Sequence, residues 1–288
     1  MSLKVYINGR LVDREDAKVS VFDHGFLFGD GIFEGLRCYN GKIFRLKQHI
    51  DRLWDSAKTL DIQIPISKEE MGAAMYQTIE ANGFADAYIR LIVTRGEGTL
   101  GLDAHLCKDP AIVIIVQKLS LYSADFYDQG IKIVTASTIR TPSDSVNPRV
   151  KSLNYLNNIM AKIEARYAGC EEALMLNHKG DVAECSGDNI FIVKNGKLKT
   201  PPTDACILEG VTRNVVMEIC EELGLECVEA AFTRHDVYTA DECFLTGSAA
   251  ELIPVVGVDG RVIGDGKPGP ITKTILSAFG DFVKKDAE

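Results

Sequence analysis

The chain has 288 residues, 46% of them hydrophobic and 25% charged, a balance that excludes a disordered or fibrous chain and predicts two domains or one large one. Its 32 Lys and Arg against 41 Asp and Glu leave a formal charge of −9; this excludes the broad basic footprint of a general nucleic-acid binder, though not a local basic pocket for a small anion. No run approaches the roughly 20 apolar residues of a membrane span, and the N-terminus enters a strand pattern with no leader-type apolar region. The eight cysteines are scattered without a CxxC pair, so free thiols in a reducing cytoplasm are expected, not a zinc knuckle or redox dithiol. The five histidines lack metal-ligand spacing, and no metal is expected.

In chain order, Val5–Asn8 and Arg10–Val12 flank Asn8-Gly9, a hairpin signal. A glycine-rich stretch, Asp23–Gly35, precedes a second hairpin around Asn40-Gly41. Leu46, Ile50, Leu53, Ala57 and Leu60 recur at helical spacing. Ser67 followed by Glu70 predicts a capping box, and Asn82-Gly83 ends the helix it starts. Tyr88–Thr94 and Ala111–Gln117 read as strands, and Leu119–Gln129 as a looser stretch. Ile131–Ala136 is a strand, and Tyr155–Arg166 a helix with Leu156, Ile159, Met160 and Ile163 on one face. A meander runs from Ala173 to Lys199, with turns at Lys179-Gly180 and Asn195-Gly196. Thr212–Leu223 is a helix closed by Gly224, Leu225–Phe232 and Cys243–Thr246 are strands, Asp259-Gly260 closes a hairpin, and Ile271–Val283 is a final helix. The expected fold class is mixed α+β and α/β in two domains. The smaller spans 1–118, an interdomain loop 119–130, and the larger domain 131–288.

Taken singly, the chemistry-bearing motifs are ambiguous. Gly96-Glu97-Gly98-Thr99-Leu100-Gly101 matches G-x-G-x-x-G after a strand. The residues leading to Pro110 leave little room for the helix a dinucleotide site requires, so a flexible loop, or a substrate loop with exposed amides, is expected. Gly210-Val211-Thr212-Arg213 sits where loop becomes helix; unpaired N–H groups there suit a phosphate, but Thr212 as a cap is the default reading. Gly247-Ser248-Ala249-Ala250 follows a strand, where small residues let amides approach a ligand. Arg52 reads as a solvated helix flank or a phosphate ligand. Lys151 precedes a helix, but nothing local shows the desolvation or nearby positive charge that makes a lysine nucleophilic. Glu184 reads as a solvated acid at a strand end, because burying it unpaired would be costly. His24 beside Asp23 suits a structural role.

Read in order, these pieces become specific. Phe33-Glu34-Gly35-Leu36-Arg37, then Arg45–Ala57, Ala87-Tyr88-Ile89-Arg90, Lys151–Leu156, Glu184–Phe191, Gly210–Arg213 and Gly247–Glu251 together resemble the class IV, fold-type IV pyridoxal-phosphate aminotransferases. Among these the pattern is most like the branched-chain amino acid aminotransferases, over nearly the whole chain. The resemblance implies a fold-type IV enzyme with its active site at the domain interface, binding pyridoxal 5'-phosphate. It implies that Lys151 forms the Schiff base and moves the proton, that Glu184 keeps the pyridine nitrogen protonated, and that Tyr155 bonds the phenolic oxygen. Arg52, Val211, Thr212, Gly247 and Ser248 would hold the phosphate end.

For the substrate it implies Tyr88, Ser248 and Ala249 at the α-carboxylate, Arg90 at the side-chain carboxylate of glutamate, and Phe33 against the branched alkyl group. The Gly96–Gly101 loop would close over the pocket. Phe28 replaces a Tyr of the pattern, Ser248 a Thr and Cys185 a Gly. The implied reaction is transfer of an amino group between leucine, isoleucine or valine and 2-oxoglutarate, by a cytoplasmic homodimer or larger homo-oligomer with small-molecule substrates only. Two relatives of the same fold compete: a D-amino acid aminotransferase and an aminodeoxychorismate-type carbon–nitrogen lyase.

Overall fold

The structure, a computed structural model, describes residues 2–119 and 121–287. The chain divides into two compact units: Met1–Leu119 with Val150–Tyr155 and Val283–Glu288, and Ser120–Arg149 with Leu156–Phe282.

The first unit is built on a six-stranded antiparallel sheet, in the order Arg10–Asp13, Lys4–Ile7, Ile112–Gln117, Ala87–Thr94, Gly31–Tyr39 and Lys42–Ile43. The turns at Asn8-Gly9 and Asn40-Gly41 place both residues at positive φ, the conformation a type I′ hairpin needs. Helices Leu46–Thr59 and Lys68–Asn82 cover one face of the sheet. The second carries the expected capping box: Ser67 Oγ accepts the Glu70 N–H, and Glu70 Oε2 accepts the Ser67 N–H. Strands alternate their side chains, so Ile32, Leu36, Ile89 and Leu91 enter the core with Leu53, Met71 and Met75 of the helices. The register Gly35↔Arg90 and Arg37↔Tyr88 gathers Phe33, Gly35, Tyr88 and Arg90 on the opposite face.

The second unit carries a nine-stranded mixed sheet. Its order is Cys227–Glu229, Lys197–Thr200, Asn189–Lys194, Glu242–Gly247, Glu251–Val258, Ile131–Thr135, Glu172–Leu176 and Val182–Cys185, with Arg261–Val262 paired to Glu251–Val258. Helices Leu156–Tyr167 and Val211–Glu222 pack within this unit.

One expectation is corrected. The looser stretch before Ile131 contains a helix, Ala124–Gln129, and it counts with the second unit; its N-terminal Ser123 and terminal Gly130 are the local signals for it. The two compact units are discontinuous in sequence, where the expectation was the linear division 1–118, 119–130 and 131–288. Val150–Tyr155 returns to the first unit because its backbone extends the pairing of Gly31–Tyr39: the Phe33 N–H donates to the Lys151 carbonyl at 2.9 Å and the Leu153 N–H to the Gly31 carbonyl at 2.8 Å. Leu156, Ile159, Met160 and Ile163 lie on the exposed side, and helix Leu156–Tyr167 buries Asn158, Ala161 and Ala165. Small residues on that side let the helix approach Ala136, Ala173 and Met175 closely.

Candidate active site

In the first unit Lys151 is anchored by its backbone at both ends of the peptide. Its carbonyl accepts from Phe33 and its N–H donates to Ser56 Oγ at 3.2 Å. Its ammonium donates to Tyr155 Oη at 3.1 Å and lies 4.4 Å from the centroid of the Phe33 ring. Phe33 and Tyr155 meet edge-on at 4.9 Å. The Arg90 guanidinium lies over the same Phe33 ring at 4.6 Å and donates to Tyr88 Oη at 3.0 Å. Gly35 makes room for that phenol, since a Cβ there would stand 2.2 Å from Tyr88 Oη.

Arg52 lies on helix Leu46–Thr59 and is not a solvated flank. Its Nε and one terminal nitrogen donate to the two oxygens of Glu34 at 2.7 and 2.8 Å. Glu34 is fully buried and bonds His49 Nδ1 at 2.7 Å. Burial alone would raise the Glu34 pKa, but Arg52 and His49 outweigh it and hold the carboxyl well below the usual range. Burial pushes the His49 pKa down despite the attraction of Glu34, so its ring is neutral at pH 7 and donates from Nδ1.

In the second unit Glu184 is buried, contrary to the solvated strand-end reading. Its charge is met by an ion pair with Arg140 Nε at 2.8 Å and by Asn189 Nδ2 and the Leu208 N–H at 3.1 and 3.0 Å. Arg140 is itself tied to Asn157 and Asn158 of helix Leu156–Tyr167. Asn189 also donates to the Leu208 carbonyl, and it crowds Gly210, whose Cβ would fall 2.0 Å from Asn189 Oδ1. That glycine is the N-cap of helix Val211–Glu222, and it supplies no side-chain cap. Thr212 does not cap either, because it already lies inside the helix. The first-turn amides of Val211 and Thr212 therefore start a helix whose dipole favours an anion. The turn Gly247-Ser248-Ala249 follows strand Glu242–Gly247; a Cβ on Gly247 would strike Asp188 Oδ1 at 2.0 Å. The neighbouring Thr246 Oγ1 is buried and has no hydrogen-bond partner among the described residues.

These features fit a phosphorylated pyridine. An uncapped helix start, glycines that admit no side chain, and a buried hydroxyl lacking a partner suit an anionic ligand close to the backbone. The buried carboxylate of Glu184 suits a protonated ring nitrogen, and the amine of Lys151 beside a phenol suits an aldehyde. Cys185, next to Glu184, is buried, and burial raises its thiol pKa well above the usual value; it fills core space and is unreactive. Phe28 is exposed and packs edge-on against His24 at 4.9 Å. Glu34, His49, Arg140, Asn158 and Asn189 were not picked out from sequence. Glu34 lies inside the Phe33-Glu34-Gly35 motif, so an acid amid a strand's inward-facing apolar set was a readable signal. For Arg140 there was none.

A family model for class IV amino-transferases matches residues 31–258. A Methanocaldococcus jannaschii protein, named provisionally as a branched-chain-amino-acid aminotransferase, is 54% identical over 98% of this chain and 97% of its own. The branched-chain-amino-acid aminotransferase of Pseudomonas aeruginosa is 40% identical over 99% of this chain and 94% of its own. Among solved structures, the Escherichia coli branched-chain amino acid aminotransferase superposes with a TM-score of 0.96 at 34% identity, covering 100% of this chain and 97% of that one. A second branched-chain amino acid aminotransferase, solved with pyridoxamine 5'-phosphate, gives 0.95 at 34% identity, covering 99% and 95%. The chain belongs to the class IV aminotransferase family.

Proposed function

We propose that this protein is a pyridoxal-phosphate-dependent transaminase that exchanges the amino group of leucine, isoleucine or valine with 2-oxoglutarate, acting in the cytoplasm as a homodimer or larger homo-oligomer. The observation that carries the reading is the Lys151 ammonium, hydrogen-bonded to Tyr155 at 3.1 Å and enclosed by the Phe33 ring at 4.4 Å. The Tyr155 hydroxyl and the Phe33 ring fix the place of the one lysine nitrogen that would attack a carbonyl.

The cofactor, when bound, supplies the electron sink that acidifies the amino-acid Cα. Lys151 would hold the aldehyde end of the cofactor and move the proton at the substrate Cα. Tyr155 orients that amine through its hydroxyl. Glu184, bonded by Arg140, Asn189 and the Leu208 N–H, would hold a proton on the ring nitrogen. Arg52, the Val211 and Thr212 amides, Gly247 and Ser248 take the phosphate. Tyr88, Ser248 and Ala249 take the α-carboxylate. The Phe33 ring and the Arg90 guanidinium adjoin one another, so an alkyl side chain and the second carboxylate of glutamate can use the same end of the substrate pocket.

The test is the visible spectrum of the cofactor-loaded protein, with each amino donor added alone and no keto acid. Loss of the cofactor–lysine band with L-leucine and with L-glutamate is the expected result. Borohydride reduction of the untreated protein should place the cofactor mass on the peptide holding Lys151. A response to D-alanine alone, or pyruvate release from 4-amino-4-deoxychorismate with the band retained, would overturn the reading.

A further inference from the structure

Glu34 is a carboxylate in the apolar core. It follows Ile32 and precedes Leu36 on the inward face of strand Gly31–Tyr39, and its side chain is fully buried. An ion pair whose carboxylate is fully buried adds little stability, since apolar residues of equal volume often serve as well or better. Arg52 is the partner, held along its Nε edge by both Glu34 oxygens at 2.7 and 2.8 Å. A bidentate contact fixes the plane of a guanidinium as well as its position. Glu34 is fixed in turn by His49, one helical turn before Arg52 and bonded at 2.7 Å. The result is a side chain with several rotatable bonds brought to a single orientation before any ligand arrives.

We propose that Glu34, braced by His49, is a positioning residue that presets the Arg52 guanidinium for the cofactor phosphate. The inference rests on the assignment of Arg52 to that phosphate. Glu34 touches neither phosphate nor reacting atoms in this scheme. Its contribution is orientational, because its charge opposes the anion that Arg52 receives. It lowers the entropy that Arg52 would otherwise lose on binding.

The experiment uses the full chain stripped of cofactor, titrated with pyridoxal 5'-phosphate and, separately, with pyridoxal, which lacks the phosphate. Wild type, Glu34→Gln, Arg52→Ala and the double variant are compared. Loss of an outer partner of a ligand-binding side chain weakens binding on the order of 10–100-fold at metal sites, and a loss of about tenfold is expected here. Glu34→Gln should show that loss for pyridoxal 5'-phosphate and none for pyridoxal. The double variant should be no weaker than Arg52→Ala alone, because Glu34 works only through Arg52. Should Glu34→Gln fail to fold, Glu34→Asp, which keeps the charge but displaces the guanidinium, carries the same comparison. Equal losses for the two ligands, an unchanged pyridoxal 5'-phosphate affinity, or additive losses in the double variant would overturn the inference. If Arg52→Ala itself does not favour pyridoxal over its phosphate, the assignment of Arg52 falls first, and the inference with it.

Discussion

At the scale of single residues, space and charge at the candidate site are set by neighbours on adjacent strands. Gly35 lies opposite Arg90 in the sheet, and its missing side chain is what Tyr88 Oη occupies. Gly35→Ala should displace that phenol and loosen its contact with Arg90. The expected outcome is a rise of about tenfold in KM for the amino donor, with pyridoxal 5'-phosphate affinity unchanged. Steady-state kinetics beside a cofactor titration would check it. Motif reading selected Tyr88 and Arg90 correctly as neighbours at alternate positions of one strand. It assigned Glu184 a solvated role because a strand end carries no information about a cation placed 44 residues earlier in the chain, at Arg140.

At the scale of elements, local grammar was legible. The Ser67–Glu70 capping box, the Asn-Gly hairpins and helix Leu46–Thr59 all appear where the pattern places them. Ser67→Ala should cost about 0.5–2 kcal/mol of stability and leave turnover intact, as measured by denaturant unfolding and initial rates. The start of helix Val211–Glu222 has a different dependence. Gly210 is crowded by Asn189, which also holds Glu184. Gly210→Ala should push Asn189 off that carboxylate and disturb the first-turn amides. A loss of about tenfold or more in pyridoxal 5'-phosphate affinity is expected, read by absorbance titration, with the far-UV helix signal retained. Helix Leu156–Tyr167 illustrates the limit of periodicity. Its spacing revealed two unlike faces but not which one packs, because a close helix–sheet approach selected the alanines over the larger side chains.

At the scale of the whole molecule, the buried Glu34–His49 pair gives stability a defined acid dependence. Both groups have folded-state pKa values below their ordinary values of 4.5 and 6.5. The unfolded chain therefore binds more protons in acid, and folding weakens as pH falls. The loss should begin below pH 6.5 through His49 and steepen below 4.5 through Glu34. Each group contributes at most about 1.4 kcal/mol per pH unit. His49→Gln should flatten the upper part of this profile while leaving the lower part, as measured by urea midpoints between pH 7 and 4. A profile unchanged in His49→Gln would show that His49 is not held neutral by burial.

The turns, the helix caps, the strand alternation and the ordered set of motifs that mark the family are all legible in the residue order. Those features depend on backbone preferences and side-chain spacings within a few residues. The return of Val150–Tyr155 to the first sheet, the burial of Glu184 against Arg140 and the clamping of Arg52 by a carboxylate in the core came only with the folded chain. These depend on contacts between distant segments, such as the Lys151 N–H on Ser56 across 95 residues. An acid has the same local signature whether it ends in water or in an ion pair. Its environment exists only once the chain has closed around it.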